Sequence, residues 1–244
     1  MVDFENESLQ YLKENESELI AEYHKNFGNV LDTDNARGLF RPIGYNGTNA
    51  SDFQKASSQL IEKIFDNFLS YSENPKECLF IVGLPGSGKT TAVELIAGEK
   101  DSFVFIYDGV FSTKNDLNNK INKCLDRNFN VSVIFVYTNP YTAWRNILRR
   151  VSKTNRVVPA DYFTKACGTY KDILNDLKTI PRNQISLIFI DNNGDISEIQ
   201  EVGIEKTDDF EYTIEPDEVE VITETFYNDQ LINEEQRNRI NKRT

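Results

Sequence analysis

The chain has 244 residues and a formal net charge of −12, a length that suits one large α/β domain with appendages better than two equal domains. The acidic balance argues against nucleic-acid or anionic-membrane partners, and no apolar run approaches the roughly 18 residues needed to span a bilayer. The acidic, polar start MVDFENESLQ is unlike a secretory signal, so a cytoplasmic protein is expected.

In chain order, residues 5–27 place Leu9, Leu12, Leu19, Ile20, Tyr23 and Phe27 mostly on one face, which predicts a helix. Residues 28–50 read as loop with a short apolar start. Helical spacing returns over 51–73 at Phe53, Ala56, Leu60, Ile61, Ile64, Phe65 and Phe68, and Pro75 closes that helix. Residues 79–82 predict a buried parallel strand, followed by a glycine-rich turn. A helix then begins at Lys89, with apolar Ala92, Val93, Leu95 and Ile96. A strand over 102–107 ends in Asp108-Gly109. A helix over 115–125, a strand over 131–137 and a helix over 141–151 follow. Residues 152–160 form a basic loop before a helix over 161–177. A last strand, 186–190, runs into the turn Asp191-Asn192-Asn193-Gly194.

Strands alternating with helices require a mainly parallel sheet with helices on both faces, and the run Gly83-Leu-Pro-Gly-Ser-Gly-Lys-Thr90 between a strand and its helix makes it of the P-loop NTPase type. Its ligands gather beyond the carboxyl ends of the strands, where Gly83, Asp108, Thr138 and Asp191 fall. From residue 196 onward there are fourteen acids against five bases. That segment reads as a small acidic, solvated C-terminal appendage. Alternation at Phe210, Tyr212, Ile214, Val219 and Val221 suggests an edge hairpin around Glu215-Pro216-Asp217, with a final helix over 231–240. The expected division is a core over 1–195, made of an N-terminal part (1–75) and a P-loop part (76–195), and an extension over 196–244.

Gly83, Leu84, Pro85, Gly86, Ser87, Gly88, Lys89 and Thr90 spell a complete P-loop, with Thr91 next in the helix. Backbone N–H groups of such a turn and the following helix N-terminus converge on phosphates. The lysine reaches the β- and γ-phosphates, and the Thr90 hydroxyl ligates Mg²⁺. ATP or GTP with Mg²⁺ is therefore expected.

The other candidates have structural readings of comparable weight. Arg145, Arg149, Arg150, Lys153 and Arg156 are phosphate clamps or a solvated helix end. Asp108 is a base, a metal-water ligand or a turn residue. Asp191 suits a turn. Asp32 and Asp34 serve as helix caps or as catalytic carboxylates beside Arg37. Cys78, Cys124 and Cys167 lack metal spacing and read as buried small hydrophobes in a reducing compartment. The single His24 reads as an exposed helix residue.

The segment NVLDTDNARGLF resembles the Asp-x-Asp-x-x-Arg signature of zeta-toxin-type kinases, with Asp32, Asp34 and Arg37 on its three positions. YDGVFST is similar to the family's acidic-Gly-Thr segment, with Asp108 at the glutamate, Gly109 at the glycine and Val110 where threonine is usual. Arg149 or Arg150, and then Arg156, fall on the family's two arginine positions. The order looks circularly permuted, because Asp34 precedes Lys89.

The resemblance implies phosphorylation of a sugar nucleotide, by analogy UDP-N-acetylglucosamine. Asp34 would be the proton acceptor, and Lys89 and Thr90-bound Mg²⁺ would hold the phosphates. The arginines would neutralise the migrating group, and Asp32, Arg37 and Asp108 would serve the acceptor. It also implies an antitoxin protein as partner. From the residues alone, another small-acceptor or polynucleotide 5′-kinase and a non-catalytic nucleotide-dependent switch stay open.

Overall fold

The computed structural model describes residues 3–70, 76–95, 97–109, 111, 113–181, 183–193 and 200–242. Pro75, Ile96, Val110, Gly194 and the boundary expected between 195 and 196 lie outside them. The strands are β1 (Val30–Leu31), β2 (Lys76–Val82), β3 (Phe105–Asp108), β4 (Phe129–Tyr137), β5 (Ile185–Asp191) and β6 (Gln200–Val202). They form one sheet in the order β1-β3-β2-β4-β5-β6. Neighbours from β1 to β5 pair in parallel, and β6 pairs antiparallel to β5. The helices are α1 (Phe4–Glu14), α2 (Glu16–Phe27), α3 (Thr33–Gly38), α4 (Gln54–Ser70), α5 (Lys89–Leu95), α6 (Lys114–Leu125), α7 (Pro140–Thr154), α8 (Ala160–Thr179), α9 (Pro216–Asn228) and α10 (Glu234–Ile240).

The side-chain alternation of the strands divides the interior in two. Cys78, Phe80 and Val82 of β2 face the larger core, which also takes residues from α1, α2, α4, α6, α7, α8, α9 and α10. Leu79 and Ile81 face the opposite side, against Ala92 and Val93 of α5. The two faces are covered by helices, but unequally. Aromatic contacts lock α4 to the sheet. Phe65 lies edge-on to Phe105 at 5.3 Å and to Tyr107 at 5.9 Å. Cys78, Cys124 and Cys167 are buried in this core.

Parallel pairing determines what meets at the sheet's upper edge. Leu31 is in register with Tyr107, and Ile81 with Asp108. The chain leaving β1 at Asp32 therefore emerges beside Asp108, next to the loop that follows β2. Asn29 secures the start of β1, donating to the Lys100 and Phe103 carbonyls at 2.9 and 2.8 Å.

Several sequence expectations need correction. Residues 5–27 form two helices that break at Asn15, whose amide donates to the Tyr11 carbonyl at 2.9 Å and competes with the helical ladder. Residues 28–50 hold β1 and α3 and are more than a loop. The strand over 186–190 is not the last, because β6 follows it.

The expected hairpin at 210–221 is instead the approach to α9. Pro216 occupies the first helical turn, and Glu215 and Glu218 form a capping box. Val219, Ile222 and Phe226 then bury one helical face, while Val221 is 66 % exposed. The segment is packed, where solvation was expected. The Trp144 indole N–H donates to Thr223 Oγ1 at 3.1 Å in the interior, and Ile240 is fully buried.

Candidate active site

The P-loop joins β2 to α5 and is held from behind by polar groups just beyond β4 and β5 and by one from α7. Thr138 Oγ1 donates to the Ser87 carbonyl at 2.9 Å. Asn192 Nδ2 donates to the same carbonyl at 2.8 Å, and Asn146 Nδ2 reaches the Gly86 carbonyl at 3.1 Å. Gly86 has φ of +80°, and a Cβ there would sit 2.3 Å from the Ala143 carbonyl. Only glycine fits that position. Lys89 lies back over the turn, donating to the Gly83 and Leu84 carbonyls at 2.9 and 3.1 Å. The first turn of α5 leaves N–H groups without intrahelical partners, aimed where an anion would sit. Ser87 Oγ is buried without a hydrogen-bond partner among the described residues.

Across from the P-loop, β1 delivers α3. Asp32 caps that helix, accepting from the Asp34 amide at 2.8 Å. Tyr23 of α2 pins the junction, donating to the Val30 carbonyl at 2.8 Å and accepting from the Asp32 amide at 2.8 Å. One turn of α3 sets Arg37 beside Asp34, and the two form an ion pair. A second ion pair joins Asp34 to Arg156, from the loop after α7. The Asp-x-Asp-x-x-Arg run thus contains a cap, a carboxylate held between two guanidiniums, and one of those guanidiniums.

Asp32, Asp34, Arg37, Pro85, Gly86, Gly88, Lys89, Thr90, Thr91, Asp108, Arg149, Arg150 and Arg156 all line one open cleft of about 1900 Å³. Gly83, Leu84 and Ser87 lie behind its wall, buried. Of the sequence's basic candidates, Arg145 and Lys153 are exposed and stand outside the cleft, as does Asp191. Arg149 is exposed at the rim, bonded to Asn146 at 3.1 Å. Arg150 points inward, its charge acting on both Lys89 and Asp34, and its Nε is buried without a partner among the described residues. Arg150 therefore reaches deeper into the cleft than Arg149.

Three carboxylates share this space, and their surroundings separate them. Burial pushes Asp34 up, but Arg156, Arg37 and Arg150 outweigh it and hold the carboxyl below its ordinary range. Asp32 makes no ion pair among the described residues, and the Asp34 amide and the Arg156 charge offset its surroundings only in part. Burial, then the charges of Asp34 and Asp108, push it up to about 7. Asp108 is raised by burial and partly offset by Lys89. Lys89 is itself lowered, first by burial. By surface area Asp32 and Asp34 are only half-buried. They sit in a recess walled by protein, however, so their effective desolvation exceeds what their exposed area suggests.

These residues fit a nucleoside triphosphate with Mg²⁺. The turn has glycine where a Cβ would collide, and an ammonium at present satisfied by loop carbonyls. The Thr90 hydroxyl is exposed on the cleft side. Thr138, which the sequence places at a strand end, braces the site, and so do Tyr23, Asn146 and Asn192, which carried no sequence signal as site residues. Asn192 looked like turn chemistry, and Tyr23 looked like one apolar-face residue among several.

Residues 100–201 match the family model for zeta toxin. No curated protein matches the chain. The resemblance to zeta-toxin-type kinases is thus borne out over that stretch, which contains Asp108, Arg149, Arg150 and Arg156. The P-loop and the Asp32–Arg37 run precede it, and α9 and α10 follow it. With the sheet described above, the match supports a P-loop, nucleotide-dependent, kinase-like protein. Among the described residues no helix is long and apolar enough to cross a membrane.

Proposed function

We propose that this protein is a kinase that transfers the γ-phosphoryl group of ATP or GTP to a hydroxyl of a sugar nucleotide, by analogy UDP-N-acetylglucosamine. The observation that carries this reading is the meeting of Asp34 and the P-loop across one cleft, despite their separation and reversed order in the chain. A volume of about 1900 Å³ exceeds the roughly 300–1,000 Å³ of a single small-molecule site and leaves room for two substrates side by side.

In this reading Lys89 leaves the Gly83 and Leu84 carbonyls for the β- and γ-phosphate oxygens. Mg²⁺ held at Thr90 would neutralise phosphate charge when bound. The acceptor oxygen attacks the γ-phosphorus, the bond to the β-bridging oxygen breaks, and the hydroxyl proton passes to Asp34. That carboxylate is ionised at neutral pH because Arg37 and Arg156 hold it so. Arg150 and Arg156 stabilise charge on the migrating group, which is most of what phosphoryl transfer requires of a protein. Arg37, Asp32 and Asp108 shape the acceptor side, and Arg149 guards the rim. An antitoxin that covers this cleft is the partner the reading implies.

The test is incubation with γ-labelled ATP or GTP and a panel of sugar nucleotides and oligonucleotides. Label on UDP-N-acetylglucosamine or a related sugar nucleotide is expected. Label on oligonucleotide 5′ ends, or nucleotide binding with no labelled acceptor, would replace this reading with a polynucleotide kinase or a nucleotide-dependent switch.

A further inference from the structure

The loop that carries Arg156 has no helical or sheet ladder of its own, yet it presents a guanidinium to Asp34. On its far side Val158 is buried. On its near side α7 ends at Asn155, whose φ of 61° is left-handed. That geometry turns the chain sharply just before Arg156, and the turn is gripped from outside. Gln236 of α10, 9 % exposed, donates from Nε2 to Asn155 Oδ1 at 2.6 Å and to the Val151 carbonyl at 3.4 Å. Its Oε1 accepts from the Asn233 amide at 2.8 Å, so every part of the side-chain amide is engaged.

One turn further along α10, Arg239 donates to the Thr48 carbonyl. Thr48 lies in the segment after α3, and both Thr48 and Arg239 line the cleft. A single short helix near the end of the chain therefore holds both the arginine loop and the segment that follows the Asp34 helix. Its own seat is firm, because Ile240 is fully buried and Arg237 pairs with Glu224 of α9 at 2.6 Å.

We propose that α10 is a clamp for the arginine loop and that Gln236 is a positioning residue for Arg156. This inference rests on the kinase reading for its catalytic meaning but not for its geometry. Gln236 touches no reacting atom in that reading. It fixes the left-handed turn at Asn155 and so fixes the direction in which Arg156 leaves α7. α10 lies beyond the stretch matched to the family, so the clamp is a property of this chain's own C-terminal segment.

The experiment is a double-mutant cycle read in two ways. Gln236→Ala removes the grip. Asn155→Gly removes its partner, keeps the backbone free to adopt positive φ, and leaves α10 intact should Gln236→Ala fail to fold. The first readout is the titration of the Asp34 carboxyl by NMR, which senses Arg156 without any acceptor. Either variant should move it upward, as Arg156→Ala does, and neither should move it further in the Arg156→Ala background. The second is transfer from γ-labelled ATP to UDP-N-acetylglucosamine as probe. Either variant should lower kcat by about 10- to 100-fold with the KM for ATP little changed, the scale of a misplaced catalytic group. An unmoved Asp34 titration in a folded variant, or effects that simply add to those of Arg156→Ala, would overturn the clamp. If Arg156→Ala leaves labelled product unchanged, it is the kinase reading of Arg156 that fails, and the titration still decides the clamp.

Discussion

Asp34 and Lys89 are each engaged by the protein itself, the carboxylate by two guanidiniums and the ammonium by two loop carbonyls. Both arrangements hold charges that substrates would otherwise meet, so substitutions should separate binding from transfer. Lys89→Ala should abolish transfer in a folded protein, because phosphoryl transfer relies almost wholly on positioned charge; full activity in that variant would end the kinase reading. Asp34→Asn should slow turnover by about 10²–10⁴ while nucleotide still binds, the usual scale of a lost general base. A steady-state assay paired with nucleotide titration distinguishes the two effects. Asp32 gives a test by stability. Burial and the neighbouring Asp34 and Asp108 charges push its carboxyl from its ordinary 3.8 up to about 7 in the folded state, which then holds a proton that the unfolded chain releases. The stability tied to that proton is complete below the unfolded value and is lost as pH rises through about 7. Asp32→Asn keeps the cap to the Asp34 amide and cannot ionise. Its Tm should exceed that of the wild type at pH 8, and the gap should close toward pH 4. A gap independent of pH would mean that Asp32 is not held protonated.

At the scale of elements, legibility followed the locality of the signal. The β2–P-loop–α5 unit was plain in the sequence because its glycines, lysine and flanking apolar runs are contiguous. The C-terminal segment was misread because Tyr212, Ile214, Val219 and Val221 alternate as a strand would. The deciding information was the capping pair Glu215 and Glu218 around Pro216, together with a partner surface distant in sequence. Trp144 of α7 supplies part of that surface. Its indole N–H bonds Thr223 Oγ1, which in turn donates to the Val219 carbonyl at 2.7 Å. Thr223→Val preserves shape but strands a buried donor, which should reduce stability by about 1–3 kcal/mol. Urea unfolding would measure it as a lower midpoint at unchanged slope. No loss would mean that α9 does not depend on this bond and packs through its apolar face alone.

At the scale of the whole molecule, the site is assembled by sheet topology from pieces that lie far apart in the chain. β1 pairs with β3, and β3 with β2, so residues 32–37 arrive beside Asp108 and the P-loop although they precede both. The P-loop and the Asp32–Arg37 run were readable as candidate sites because chemistry constrains residue types. Their proximity was not readable, because it rests on strand pairing between non-neighbours in sequence. The same topology makes the pieces interdependent. Leu12, Tyr23 and Phe65 from the N-terminal part, Phe80 and Phe135 from the sheet, and Val219 and Ile240 from the C-terminal segment belong to one continuous core. A core shared in this way couples the N-terminal part, the sheet and the C-terminal segment among the described residues. Scanning calorimetry should therefore show a single transition with matching calorimetric and van't Hoff enthalpies. Thr223→Val should shift that whole transition downward without splitting it, although Thr223 lies far along the chain from the P-loop. A separate low-temperature transition that disappears when residues 200–242 are removed, with nucleotide binding retained, would instead make the C-terminal segment an independent unit. In that case α10 would have no means of setting the arginine loop.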